Sequence, residues 1–250
     1  MNGFRQALRR FLPLSLRQTL AQVRRRLVDI PLDFDDGRTA DLSGTTLQIE
    51  LTQQIMPSAL FENKLANMRN AARLLNHTGI EPGGLWSFWR SVGAPTLANG
   101  FVVGRNLVDG KLTTQVGGGI CQPSSLMYHL ALLSGLAIVE RHPHSIDIYE
   151  EKDRFTPLGA DATVVWGFKD LRLTNPHGVR VVFECFVEGH AIIGRVHASQ
   201  ALPRYDVEFQ RRAKASPFVE VDAMINGAVA VTTLYEQRQG MILQAPTLGT

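Results

Sequence analysis

Residues 116–145 read VGGGICQPSSLMYHLALLSGLAIVERHPHS, and this stretch decides how the rest of the chain is interpreted. Three glycines at 117–119 lead into Cys121, and the apolar residues that follow recur at helical spacing until Gly135. We therefore predict a buried helix that begins at or next to Cys121. The unpaired N–H groups and the positive dipole end of a helix N-terminus favour a thiolate at that position.

The predicted helix is followed by an apolar run at 137–141, which predicts a short strand, and then by the residues HPH at 142–144. In an extended segment His142 and His144 place their side chains on the same face. A cysteine at a helix start, followed by a histidine on the next strand, is typical of a cysteine nucleophile and its base.

Two alternatives to catalysis stay open for this region. Free cysteine is commonly buried as a small apolar side chain, so Cys121 also has a purely structural interpretation. Cys121, His142, His144 and Asp161 are residue types that bind metals, but they lack a strong metal-binding spacing. We predict no bound metal and no cofactor.

Composition and charge narrow the class of protein. The chain has 250 residues and two cysteines, Cys121 and Cys185, so a disulfide framework is excluded, while a single bond between the two stays open. Residues 1–26 carry seven arginines and no acidic residue. We find no apolar run long enough for a signal-peptide core or a membrane span of ~20 residues. We expect a cytoplasmic location, peripheral to the inner face of the membrane.

The basic segment at 1–30 predicts an amphipathic helical arm. Two interpretations of this arm stay open. Residues 1–26 bind an anionic membrane surface, or the arm packs against the body with its arginines solvated. Nucleic acid is not expected, because neither interleaved aromatic residues nor a nucleic-acid motif accompanies the arginines.

The body, residues 45–200, reads as a single α+β domain. A strand at 45–52 and a helix at 61–77 precede the glycine-rich stretch, and successive strands follow it, one of which is predicted to begin at Asp161. This order predicts an antiparallel β-sheet on which the central helix with Cys121 packs.

The turn Asn-Pro-His-Gly at 175–178 is predicted to join two neighbouring strands of that sheet, at 170–175 and 179–187. Residues 201–250 predict a C-terminal extension. Its core is a β-hairpin about Asn226-Gly227.

An aromatic block follows a Pro-Gly-Gly turn and places Trp86, Phe88 and Trp89 within four positions. Such density predicts either a wedge in the core or the wall of a substrate groove. We keep these three residues as candidates for substrate binding.

The runs GGGICQPSSLMYHLALLSGLAIVERHPHS, PGGLWSFW and GADATVVWGFKDLRLTN together resemble the VanW family. The resemblance covers roughly residues 52–175. The family's GGG-x-CQ signature matches 117–122, and its D-A-T matches 161–163.

The family's E-R-x-x-H pattern matches Glu140, Arg141 and His144. The resemblance therefore implies that His144, rather than His142, is the base. The family takes its name from an accessory protein encoded with vancomycin resistance. That association implies a peptidoglycan-related peptide or precursor as the substrate.

The chain order of cysteine, histidine and aspartate is similar to that of transglutaminase-like and papain-like cysteine enzymes. This resemblance implies that Cys121 attacks a carbonyl carbon, His144 takes the thiol proton and Asp161 orients the imidazole. Gln122 or the backbone N–H of Cys121 would stabilise the oxyanion. The other candidate binding residues are Gly118, Gly119, Arg141 and His142.

Besides the metal-binding protein considered above, two functions follow from the sequence. The first is a cysteine-dependent hydrolase or acyltransferase that acts on an amide or acyl bond of a cell-wall peptide. The alternative is a non-catalytic accessory module that binds a peptide or glycan.

Overall fold

The structure is a computed structural model that describes residues 13–30, 32–35, 40–108 and 111–238. Its helices are α1 (Leu14–Asp29), α2 (Phe61–Leu75), α3 (Phe88–Val92) and α4 (Cys121–Leu133). Two short 3₁₀ helices cover Leu97–Asn99 and Glu151–Asp153. The strands are β1 (Thr46–Gln54), β2 (Thr78–Ile80), β3 (Leu85–Ser87), β4 (Val103–Val108), β5 (Lys111–Val116), β6 (Ala137–Glu140), β7 (Ile146–Asp147), β8 (Arg172–Thr174), β9 (Val181–Glu188), β10 (Ala191–Ala198), β11 (Val207–Ala213), β12 (Phe218–Ile225) and β13 (Ala228–Gln237). The mixture of helices and antiparallel sheets confirms the α+β class.

The first sheet carries the helix that begins at Cys121. Its strand order is β1-β10-β9-β2, and all its neighbours are antiparallel. Helix α4 lies directly on β10, because a Cβ added at Gly194 would come within 2.7 Å of Leu130 and 2.9 Å of Leu126. Both leucines are fully buried, and so is Met68 of α2. The main core therefore sits between this sheet and the two helices, and it fixes the height of α4 above the sheet.

The second sheet joins the C-terminal extension to the segment that follows His144. Its order is β11-β12-β13-β7, and the predicted hairpin about Asn226-Gly227 is formed by β12 and β13. Strand β13 also pairs in parallel with β7, through Glu236 and Ile146. Residues 239–250 of the predicted extension lie outside the described residues.

The prediction that the successive strands form a single antiparallel sheet is wrong. Strand β8 pairs with β3 and β6, whereas β9 belongs to the first sheet, so the predicted pairing of 170–175 with 179–187 does not form. The side chain of Asn175 bonds to Ile80 O at 2.9 Å and Val179 O at 2.8 Å, and it turns the chain from one sheet to the other. A local turn signal does not distinguish this arrangement from a hairpin.

The strand predicted to begin at Asp161 is also absent, and 161–164 form a loop. Ala162 N donates to Ser125 Oγ at 3.0 Å, and Thr163 N donates to His142 O at 2.7 Å. These hydrogen bonds hold the segment against α4 and the 142–144 segment, and the segment joins no strand ladder.

The aromatic block lies in the core. Trp86 and Phe88 have no exposed surface, and Trp89 is 7% exposed. Trp86 packs edge-on against Phe183 with ring centroids 5.6 Å apart. The core interpretation therefore fits this block, and Trp86 and Phe88 are not placed to touch a ligand at the surface.

Helix α1 docks on the body through charged side chains. Arg172 donates to both carboxylate oxygens of Asp29, at 2.8 and 2.7 Å, and Arg25 pairs with Glu140. Residues 1–12 of the predicted arm lie outside the described residues. None of the described helices is both long enough and apolar enough to cross a membrane.

Candidate active site

The three-glycine turn gives the chain the shape it needs to enter α4. Gly117 and Gly119 have φ of +83° and +99°, which favour glycine. A Cβ at Gly118 would come within 2.4 Å of the backbone of Gly104, so two backbones approach here more closely than side chains allow. Asn67 of α2 donates to Gly118 O at 3.0 Å. The turn is thus held by α2 and β4, and it delivers Cys121 as the first helical residue. Gly118 and Gly119, which the sequence offered as candidate binding residues, form part of this turn.

The first turn of α4 is tied to the loop at 161–164. Ser125 Oγ donates to Cys121 O at 2.7 Å and accepts the N–H of Ala162 at 3.0 Å. The Sγ atom of Cys121 lies 3.7 Å from Val164 O. Cys121 is half-buried. One serine therefore fixes the loop that carries Asp161 against the helix that carries the thiol.

His144 and Asp161 form a close pair. His144 Nδ1 lies 2.7 Å from Asp161 Oδ2, and the backbone N–H of His144 donates to the same oxygen at 2.7 Å. The imidazole is 32% exposed, whereas the carboxylate is 8% exposed. Because Nδ1 is occupied by Asp161, Nε2 is the ring nitrogen left to interact with the thiol of Cys121.

The electrostatics of the three side chains are mutually reinforcing. Burial alone would raise the pKa of Cys121, but the hydrogen bond with His144 and the charge of His144 lower it below the ordinary value. Burial would lower the pKa of His144, yet Asp161 and Cys121 raise it well above its ordinary value. Burial would likewise raise the pKa of Asp161, but His144 and Arg141 hold it well below its usual range. These shifts favour a thiolate–imidazolium pair next to an ionised carboxylate.

Arg141 is buried beneath this pair and does not face solvent. Its guanidinium donates to Asp161 Oδ1 at 3.0 Å, to Asp161 O at 2.8 Å and to Gly159 O at 3.1 Å. The side chain is 6% exposed. The donors of Arg141 are therefore used to hold Asp161, and a direct role of Arg141 in substrate binding stays a prediction.

The C-terminal strand β13 contributes two side chains that the sequence did not reveal. Tyr235 OH donates to Asp161 Oδ1 at 2.5 Å, and Arg141 donates to Tyr235 OH at 3.1 Å. Arg141 also donates to Thr233 Oγ1 at 2.8 Å. Tyr235 lies 74 positions after Asp161, in a segment without a motif, so no sequence signal places it here.

His142 points to a separate charge cluster. Its Nε2 lies 2.9 Å from Glu140 Oε1, and Glu140 also meets Arg25 and Arg172. Burial would raise the pKa of Glu140, but His142 and Arg25 lower it to about 2. His142 is 35% exposed and remains reachable from solvent.

Gln122 is occupied inside the protein. Its side chain donates to Gln54 O of β1 at 2.9 Å and is almost fully buried. It therefore helps to join α4 to the first sheet. The backbone N–H of Cys121, at the helix start, has no partner within the helix and is the other predicted oxyanion donor.

A cationic side chain packs beside the glycine turn. A Cβ added at Gly119 would lie 2.9 Å from Cγ of Lys64, and Lys64 Nζ donates to Met56 O at 3.2 Å. Burial, helped by the charge of Arg105, lowers the pKa of Lys64 to about 8. Positive charge therefore lies close to the turn that precedes Cys121.

The same region does not assemble a metal centre. Across the described residues, no group of three or more His, Cys, Asp or Glu side chains is arranged to hold a metal ion. Asp161 instead bonds to His144 and to Arg141. The alternative of a metal site at Cys121, His142, His144 and Asp161 is not supported.

Comparison with known proteins follows the same residues. Residues 63–197 match the family model described as VanW like protein. The chain is 34% identical over 139 residues to the Vancomycin B-type resistance protein VanW of Enterococcus faecalis. The aligned residues make up 56% of this chain and 50% of that protein. It is 30% identical over 136 residues to the Uncharacterized protein YoaR of Bacillus subtilis, covering 54% of this chain and 43% of that protein.

The chain thus spans about half the length of the curated relatives that it matches. No solved structure matches. The family match contains Cys121, His144 and Asp161, whereas Thr233 and Tyr235 lie beyond its end. The family model covers more than half of the chain, and the protein belongs to the VanW family.

Proposed function

We propose that this protein is a cysteine-dependent acyl- or amide-bond enzyme with Cys121, His144 and Asp161 as its triad. The observation that carries the proposal is the bond of 2.7 Å between His144 Nδ1 and Asp161 Oδ2, which leaves the other ring nitrogen to the thiol. The thiol, the imidazole and the carboxylate shift one another's pKa values, as expected of a nucleophile, a base and a group that orients the base. Their order along the chain is similar to that of transglutaminase-like and papain-like enzymes.

The proposed reaction follows from the charges of the site. The thiolate of Cys121 attacks the carbonyl carbon, and the N–H groups at the start of α4 stabilise the oxyanion. The imidazolium of His144 gives its proton to the leaving amine as the C–N bond breaks, which leaves a thioester on Cys121. Water or an acceptor amine then attacks the thioester, giving its proton to His144 and restoring the thiolate. Asp161 keeps the imidazole in the required orientation throughout.

A cell-wall peptide is the proposed substrate class. The Enterococcus faecalis relative is a vancomycin B-type resistance protein by name, which supports a substrate from peptidoglycan or its precursors. Lys64 places positive charge beside the glycine turn, and this favours a substrate that carries a carboxylate close to the bond attacked.

A binding module without catalysis is the weaker candidate. It relied on the aromatic block as the wall of a ligand groove, and Trp86 and Phe88 are fully buried instead. A purely structural Cys121 would also not require a neighbouring imidazole whose pKa is raised. We therefore favour the enzyme.

Intact-protein mass spectrometry after incubation with purified peptidoglycan stem peptides tests the proposal. We expect an acyl adduct on the wild type that hydroxylamine removes, no adduct on Cys121→Ala, and an unchanged adduct on the matched control Cys185→Ala. Peptide binding with no adduct on the wild type, or an equal adduct on Cys121→Ala, would contradict the proposal that the protein is a cysteine-dependent enzyme. The binding module would then be the favoured function.

A further inference from the structure

The polar side of α1 faces the body of the protein. Arg25 pairs with Glu140, and Asp29 binds Arg172 through two hydrogen bonds. A Cβ added at Gly167 would lie 3.2 Å from the backbone oxygen of Gln18, so the helix also rests on the 165–169 turn. A surface helix of a globular protein usually turns its apolar side to the core, and α1 does the opposite.

The apolar side of α1 faces solvent as a continuous stripe. Its members share an exposed fraction of 44% or more and recur at alternating intervals of four and three residues. They are Leu16, Leu20, Val23, Leu27 and Ile30. At 100° per residue these five side chains fall within roughly 80° of the helix circumference. A contiguous exposed apolar surface of this kind marks a site of interaction.

Arginines line both edges of this apolar stripe. Arg24 and Arg17 lie roughly 80–100° to one side of Leu16, and Arg26 lies about 80° to the other side. Within the described part of the chain these three arginines have no acidic partner, and the one acidic residue of α1, Asp29, is bound to Arg172. The outward surface of the helix therefore combines apolar side chains with positive charge alone.

We propose that α1 lies in the plane of an anionic lipid surface. The stripe enters the boundary between head groups and acyl chains, and Arg17, Arg24 and Arg26 bind lipid phosphates from its two edges. The polar side of α1 stays on the body, so the helix does not have to undock in order to bind. The docking turn at 165–169 directly follows Val164, whose oxygen lies 3.7 Å from the Cys121 sulfur. Binding would thus hold the candidate site near the membrane.

Charge favours lipid over a second copy of the protein as the occupant of the stripe. The alternating spacing also fits a seam between two helices. Pairing two copies of α1, however, would bring arginines on both edges of one stripe towards arginines of the other, with no acid on the outward side to compensate. Anionic phosphates provide the complementary charge.

Cosedimentation of the full chain with vesicles tests the proposal. Vesicles of phosphatidylglycerol mixed with phosphatidylcholine are compared with vesicles of pure phosphatidylcholine. We expect at least about tenfold tighter binding to the anionic vesicles, weakened by salt, because each arginine near such a surface contributes a factor of about five at low ionic strength.

Two pairs of variants separate the apolar and charged contributions. Leu20→Gln with Leu27→Gln is expected to lower binding about tenfold or more at every salt concentration. Arg24→Gln with Arg26→Gln is expected to lower it about 30-fold at low salt and little at high salt. Matched controls elsewhere on the surface, Val229→Gln with Val231→Gln and Arg69→Gln with Arg73→Gln, should bind as the wild type does.

Three outcomes would overturn the proposal. The first is equal binding to charged and uncharged vesicles. The second is binding that the Leu20 and Leu27 variant retains in full. The third is a dimer in sedimentation equilibrium that this variant abolishes while no form of the protein binds lipid, which would assign the stripe to a second copy.

Discussion

The two cysteines of this protein occupy opposite environments. Cys121 is half-buried at the start of α4, beside the imidazole of His144 and 3.7 Å from Val164 O. Cys185 lies in the middle of β9, is 1% exposed and has Glu184 as its charged neighbour. Both thiols are free. The single disulfide that the sequence left open therefore does not form.

Burial acts on both thiols in the same direction, yet their pKa values move apart. Burial and the charge of Glu184 raise the pKa of Cys185 to about 12. At Cys121 the hydrogen bond and charge of His144 more than offset burial, and the pKa falls. The difference shows that a positively charged partner, and not the degree of exposure alone, decides which thiol has a lowered pKa.

The largest expected effect is the contrast between the two thiols themselves. At pH 7 iodoacetamide should alkylate Cys121 at least about a thousandfold faster than Cys185, because the thiolate reacts and Cys185 is almost wholly protonated. Peptide mapping by mass spectrometry over time measures both rates. In guanidinium chloride the two rates should converge, and Cys121→Ala should remove the fast phase. Equal slow labelling of both cysteines in the folded protein would contradict the predicted difference between the two thiols.

Asp161→Asn tests the buried charge pair of Asp161 and Arg141 next to the Cys121 site. Among the described residues, Cys185 has no such pair beside it. It leaves the buried guanidinium of Arg141 without its charged partner, so the free energy of unfolding should fall by about 3 kcal/mol or more in urea titrations. The pKa of Asp161 is depressed in the folded state, so its contribution is present at neutral pH and is lost as pH falls below the unfolded value of about 3.9. The difference between wild type and variant should therefore shrink below about pH 4. A difference that is independent of pH would contradict this origin, and the exposed Asp206→Asn serves as control.

His144→Gln should make Cys121 behave more like Cys185. Without the imidazolium, burial dominates and the pKa of the thiol rises, so alkylation at pH 7 should slow by about a hundredfold. The pH profile of the rate should move to higher pH by the same change. His142→Gln is the matched control, because His142 bonds to Glu140 instead of the thiol. A profile that shifts equally in both variants would remove the assignment of His144 as the partner.

Tyr235→Phe is expected to have the smallest effect. It deletes one hydroxyl that donates to Asp161 Oδ1 and accepts from Arg141, which should cost about 1–2 kcal/mol of unfolding free energy. The pH profile of Cys121 alkylation should shift slightly, because Asp161 is then held by fewer donors. Tyr205→Phe is the control, and its profile should stay at the wild-type position. An unshifted profile in Tyr235→Phe would confine Tyr235 to a structural role.

Local features of the fold could be predicted from the sequence. The glycines at 117–119 and the apolar spacing after them are signals within one helix, and α4 begins at Cys121 as expected. The hairpin about Asn226-Gly227 follows from residues that accept a positive φ, and both have one. The prediction of a strand failed at 161–164, because the backbone N–H groups of this loop bond to Ser125 of α4 and to His142 instead of to a neighbouring strand.

The sequence by itself determined that a thiol stands at the start of a buried helix, with His144 and Asp161 following in order. These properties depend on neighbouring residues, so the local pattern was sufficient. Only the tertiary structure decided that Asp161 meets Arg141 and Tyr235, that the aromatic block lies inside, and that α1 turns its leucines outward. Those outcomes depend on which surfaces of separate sheets and helices are buried together. The residues that meet are far apart in the chain, as Asp161 and Tyr235 are at 74 positions. No local pattern encodes that choice.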